Sequence, residues 1–123
     1  MIQKMARHLK FDQIPFENLG ELIQRKFVYG ESIMLSELRL TRGAKVPLHS
    51  HQNEQVTYIL KGVLRFWIGS LEGEIILVKS GEVLHLPSHL SHEVEALENT
   101  IALDLFSPPR EDWINKEDDY LRG

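Results

Sequence analysis

At 123 residues, with 42% hydrophobic and 26% charged side chains, the chain is sized and composed for a single globular domain. Its 14 Lys and Arg against 18 Asp and Glu give a net charge of −4 with no long basic run, which argues against nucleic acid as a partner. The absence of cysteine excludes disulfides and thiolate ligands, so any metal must be held by nitrogen and oxygen donors.

No apolar run approaches the ~20 residues of a membrane span. The first ten residues carry Lys4, Arg7 and Lys10 but no apolar signal core, so a cytoplasmic protein is expected. Residues 1–25 read as an N-terminal arm, in which Phe11, Ile14, Pro15 and Phe16 are available to cover a barrel edge or a partner subunit. Short strands cut by turns follow, at Lys26–Tyr29, Ser32–Leu40, Val56–Leu60, Val63–Ile68, Glu74–Lys79, Val83–Leu86, His92–Leu97 and Thr100–Phe106. Lys61-Gly62 reads as a hairpin turn. Period-2 alternation puts Ile33/Leu35, Val56/Tyr58/Leu60 and Ile101/Leu103/Leu105 each on one strand face. Strands at this spacing predict an all-β sandwich or closed barrel with its core at about residues 30–107. The tail, residues 108–123, is acidic, with Trp113, Ile114, Tyr120 and Leu121 as anchors and room for a short helix.

Six histidines are present, and their spacing is uneven. His49 and His51 stand at i and i+2, which on a strand aims both imidazoles the same way, and Gln55 keeps that parity if the strand continues. Gly43 and Pro47 suit a turn entering this strand, and His92 follows Pro87 on the strand side of a loop. Three imidazoles and an amide oxygen at these offsets predict a centre for one divalent transition metal, with Zn, Ni, Fe, Mn and Co all suited to such donors. A His-x-His pair by itself is more often surface polarity; the Gly and Pro positions and His92 turn the balance. His85 has the parity to face the lumen behind the ligands, His89 falls in an exposed turn, and His8 is solvated near the terminus.

These two stretches resemble the paired motifs of the cupins, G-x5-H-x-H-x3/4-E-x6-G and G-x5-P-x-G-x2-H-x3-N. Gly43, His49, His51, Gly62, Gly81, Pro87 and His92 match; Gln55, His89 and Ala96 stand where the motifs have Glu, Gly and Asn. Glu54 has the wrong spacing and parity to supply the missing acid. With Gln55 in its place, the donor set of three neutral imidazoles and a neutral amide leaves the ion's charge uncompensated. Such a site favours an anionic substrate and Lewis-acid chemistry over redox cycling.

A second constellation lies at Asp104, Phe106 and Arg110. Asp104 and Phe106 share a face opposite Leu103 and Leu105, so Asp104 points into the lumen if the leucines pack the other way. A carboxylate among apolar residues needs a partner. Arg110 offers one, either as a structural pair that ties down the tail or as a grip on a substrate carboxylate that leaves Asp104 free for proton transfer. The stretch Glu95–Trp113 is similar to the C-terminal signature of small cupins of the pectin-degradation (KdgF-like) type. That resemblance implies metal ligands at His49, His51, Gln55 and His92 and catalytic residues at Asp104, Phe106 and Arg110. It also implies a single-domain antiparallel jelly-roll β-barrel, a homodimer, and conversion of a 4,5-unsaturated monouronate to its linear keto form. The alternatives that remain are an Fe(II) cupin dioxygenase and a non-catalytic module that binds a metabolite.

Overall fold

The computed structural model describes residues 5–122; the first four residues of the basic N-terminal stretch and Gly123 lie outside it. Ten strands follow one another: β1 (Glu17–Leu19), β2 (Ile23–Tyr29), β3 (Met34–Leu40), β4 (Lys45–His49), β5 (Glu54–Lys61), β6 (Val63–Ile68), β7 (Glu74–Lys79), β8 (Val83–Leu86), β9 (His92–Ala96) and β10 (Thr100–Ser107). A single helical turn, α1 (Glu111–Ile114), and 3-10 turns at Phe11–Gln13 and Asp119–Leu121 complete the described elements. Among the described residues, no helix is long and apolar enough to cross a membrane.

The strands form two antiparallel sheets, one of six in the order β1-β2-β3-β10-β5-β8 and one of four in the order β4-β9-β6-β7. They face one another in the expected jelly-roll arrangement; hydrogen bonding does not run continuously around them, so of the two forms the strand spacing allows, the sheets take the sandwich. Lys61-Gly62 is not a hairpin turn. β5 and β6 belong to different sheets, and Gly62 turns the corner between them with φ +96. A Cβ on Gly62 would stand 2.5 Å from the Asn99 carbonyl oxygen, so both the backbone conformation and the close approach demand glycine.

The strand pattern inverts the usual reading of alternation. Val56, Tyr58, Leu60, Leu103 and Leu105 lie on the outer face of the six-stranded sheet, half-buried or exposed. The inner face carries Met34, Ser36 and Leu38 on β3, Gln55, Thr57 and Ile59 on β5, and Ala102, Asp104 and Phe106 on β10, all buried. Polar groups therefore enter the lumen at one end while Leu40, Leu64, Phe66 and Val94 fill the other. Each fully buried side chain of the Leu or Phe class contributes about 1.5–3 kcal/mol, enough to tolerate a polar end whose groups satisfy one another.

Residues 17–25, at the end of the expected N-terminal arm, supply β1 and the start of β2. Phe11 and Phe16 pack on their own sheet, with the Lys26 ammonium 4.6 Å from each ring centroid and the Arg39 guanidinium 4.6 Å from Phe16. The tail is bolted down by charge. Buried Arg25 pairs with buried Asp118 and, at 2.7 Å, with Glu17, while Arg122 reaches Asp118 at 3.1 Å and Glu17 at 3.0 Å.

Candidate metal centre

His49 is the last residue of β4 and His92 the first of β9, and the two pair across the ladder. His51 is not on a strand. It stands in the loop between β4 and β5, so the parity argument for the pair fails although its outcome holds. The loop folds the chain back, and the ligating nitrogens of His49, His51 and His92 all lie within 4.8 Å of one another. Each Nδ1 faces a backbone carbonyl: that of His49 lies 2.8 Å from the Pro47 oxygen, that of His51 2.9 Å from Asn53 and that of His92 2.9 Å from Leu90. Donation through Nδ1 fixes the neutral tautomer and leaves a lone pair on each Nε2.

Gln55 turns inward beside them, buried. Its amide nitrogen donates to Thr57 Oγ1 at 2.9 Å and leans toward Asp104 Oδ1 at 3.4 Å, so its carbonyl oxygen must face the histidines. That oxygen sits 3.1 Å from His51 Nε2. With His51 Nδ1–H committed to Asn53, two lone pairs point at each other, an arrangement that a shared cation resolves. A protonated His51 would also resolve it, but burial and the Arg110 charge push that imidazole down to about 4. Burial and the neighbouring His92 push His49 down to about 3, and burial lowers His92. Neutral, convergent imidazoles with an amide oxygen suit a divalent transition metal.

Asp104 lies on β10 between Ser36 and Thr57 of the flanking strands. It accepts the Thr57 hydroxyl and is buried, and burial raises its carboxyl to about 6 against the lowering effects of Thr57 and Arg110. The expected Asp104–Arg110 pair is not formed. The chain turns after Pro108-Pro109, and Arg110 instead makes a side-on fork to Asp112, with Nε at 2.9 Å and Nη2 at 2.8 Å, and donates to the Tyr120 hydroxyl. Its guanidinium carbon lies 5.0 Å from the ring centroid of Phe106 and 4.9 Å from that of Trp113, two rings that also touch each other. Phe106 stands edge-on to His51 at 5.7 Å. His49, His92, Gln55, Asp104, Phe106 and Arg110 all line one cavity of about 40 Å³.

Two expectations about the other histidines divide. His85 does not face the lumen: it pairs opposite Val56 on the outer face and meets Glu54 at 2.6 Å, which takes Glu54 out of contention as a ligand as well. His89 is exposed in its turn with φ 67, the conformation for which the cupin motif keeps glycine. Sequence reasoning missed Asn53, Thr57, Asp112 and Tyr120. Thr57 shares the parity of Gln55 and was within reach of the same alternation. Asn53 lies in a loop, Asp112 on the single turn α1 and Tyr120 on the last 3-10 turn, all too short to show a period. Asn53 is buried and donates to the Pro108 and Pro109 carbonyls, clipping the His51 loop to the segment that precedes Arg110.

Comparison with known proteins agrees with this geometry. Residues 36–107 match the Cupin domain family. The chain is 30% identical over 113 residues to the pectin degradation protein KdgF of Dickeya dadantii (strain 3937), covering 89% of this chain and 100% of that protein. Among solved structures it resembles KdgF from Halomonas sp., with a TM-score of 0.80, 26% identity and coverage of 89% of this chain and 99% of the other. An RmlC-like cupin from Shewanella frigidimarina NCIMB 400 superposes with a TM-score of 0.79 at 25% identity, covering 91% and 99%. The matched motifs, the two facing sheets and the histidine cluster at the end of the lumen thus have one explanation: the chain belongs to the cupin family.

Proposed function

We propose that this chain is a metal-dependent enzyme that opens the ring of a 4,5-unsaturated monouronate and releases the linear keto acid. One observation carries the reading. A carboxyl raised to about 6 stands one amide away from the imidazole cluster, in the same cavity as a buried guanidinium. The Dickeya dadantii relative, named a pectin degradation protein, points to the substrate class.

His49, His51, His92 and the Gln55 oxygen are the proposed ligands. When bound, a divalent metal supplies Lewis-acid polarisation of substrate oxygens. Zn, Ni, Fe, Mn and Co all suit this donor set. Arg110 holds the substrate carboxylate, and Phe106 walls the pocket. Asp104 takes the proton of the anomeric hydroxyl as the bond from C1 to the ring oxygen breaks. C1 becomes the aldehyde, and the ring oxygen leaves as the enolate oxygen on C5. Asp104 then returns the proton to C4, and the enolate becomes the C5 ketone. No atom is gained or lost, and a carboxyl near neutrality is matched to both transfers. The test is the ultraviolet absorbance of the unsaturated uronate. Metal-loaded protein should remove it well above the spontaneous rate, and an unchanged rate would sink the reading. Oxygen uptake during turnover would move the assignment to a dioxygenase.

We also infer a homodimer through the outer face of the six-stranded sheet. Tyr58, Leu60 and Val83 are 38%, 44% and 59% exposed on that face, beside half-buried Val56, Leu103 and Leu105. Sedimentation should give twice the monomer mass, and Tyr58→Glu should lower it; a monomeric wild type would end the inference.

A further inference from the structure

We infer that Tyr120 contacts the substrate and forms, with Arg110, the subsite that takes its carboxylate; this rests on the uronate reading above. The guanidinium is a planar fork with five N–H donors. Asp112 occupies its side, using Nε and one proton of Nη2. The second Nη2 proton goes to the Tyr120 hydroxyl, which therefore stands at the end of the fork, next to Nη1. With both Nη2 protons taken, Nη1 is the donor left at that end for an incoming carboxylate, and a carboxylate held there lies beside the tyrosine hydroxyl.

The rest of the geometry places Tyr120 at the mouth of the site. Its ring centroid is 5.0 Å from that of His49, and it lines the same cavity as Asp104 and Phe106. The inner space of about 40 Å³ holds an ion and about two waters, not a sugar ring. The ring of the substrate therefore extends toward the mouth, where Tyr120 stands. Burial keeps the phenol protonated, and its proton now goes to Asp112 Oδ2 at 3.2 Å. Rotation about the C–O bond turns that proton onto a substrate carboxylate without moving the ring. Tyr120 is also held from both sides, by buried Asp118 with its Arg25 and Arg122 partners and by buried Leu121. A surface tyrosine that only covered the end of the sandwich would not need a buried ion pair two residues away.

The experiment is calorimetric titration of metal-loaded wild type and Tyr120→Phe with D-galacturonate and with its methyl ester. The variant keeps the ring, so metal content and folding are checked first and should match wild type. Galacturonate affinity should fall about tenfold, the loss of one hydrogen bond to a charged group, and the ester should bind both proteins equally. Equal galacturonate affinity in the two proteins overturns the inference, as does an equal loss for acid and ester, which marks a packing role. Absence of galacturonate binding to wild type overturns it too. A wild type that leaves the unsaturated uronate unchanged, while Tyr120→Phe weakens galacturonate, ends the proposed reaction and keeps the subsite. Normal turnover with galacturonate affinity unaltered by Tyr120→Phe does the reverse.

Discussion

The Gln55 carbonyl oxygen stands 3.1 Å from His51 Nε2, while its amide nitrogen leans on Asp104 at 3.4 Å. One neutral side chain thus joins the proposed ligands to the proposed proton carrier. Gln55→Glu should keep the metal, since a carboxylate oxygen is also a ligand, whereas His51→Ala and His92→Ala should lose it; elemental analysis reads both. The added negative charge should raise KM for an anionic uronate roughly tenfold. It should also push the Asp104 carboxyl further up, so that the pH optimum of turnover moves to higher pH.

Metal-free protein should show two opposed pH slopes. His49 and His51 are depressed from 6.5 to about 3 and about 4. Because the unfolded chain binds those protons first, their contribution is present above pH 6.5 and is lost as pH falls toward the folded values. Asp104 has the other sign. Raised from 3.8 to about 6, it stabilises below 3.8, and that contribution is lost as pH rises through about 6. Between about pH 4 and 6 the two partly cancel. Asp104→Asn removes one of them, so its urea midpoint should rise more steeply with pH across that window than the wild-type midpoint does.

The tail is held by a pair that water does not reach. Arg25 and Asp118 have no exposed side-chain surface, and Arg25 keeps only Glu17 if Asp118 is neutralised. Asp118→Asn should cost about 3 kcal/mol by leaving a buried guanidinium underpaired. Denaturant unfolding measures this directly. The same variant should raise KM for substrate, because Tyr120 sits two residues from the lost anchor.

His89 occupies the left-handed region at φ 67, where a side chain is strained and glycine is not. His89→Gly should raise the unfolding free energy by up to about 1 kcal/mol, the relief being partly offset by the greater freedom of the unfolded chain. Metal content should not change, which separates this histidine from His92 three residues later.

Most strand positions were legible because β-branched and aromatic runs between Gly and Pro mark them, from Val63–Ile68 to Val83–Leu86. β4 was not. Pro47 inside Lys45–His49 reads as a turn, and the strand tolerates it only because β4 lies at the edge of its sheet. The inner face was harder still. Leu103 and Leu105 outweigh Ala102 and Asp104 on any hydropathy reading, yet they face outward, because this lumen spends one end on Gln55, Thr57 and Asp104. The histidine ligands and the Asp104, Phe106 and Arg110 cluster were visible as motif positions. The partners that orient them were not, since Arg110 finds Asp112 and Tyr120 through tail geometry rather than through any repeat.

The clip made by Asn53 ties together two parts of the site that lie far apart in sequence. Its amide joins the loop that carries His51 to the Pro108 and Pro109 carbonyls, immediately before Arg110. The segment that carries a proposed metal ligand and the segment that carries the proposed anion grip therefore share one support, and whatever displaces one is felt by the other through a single side chain.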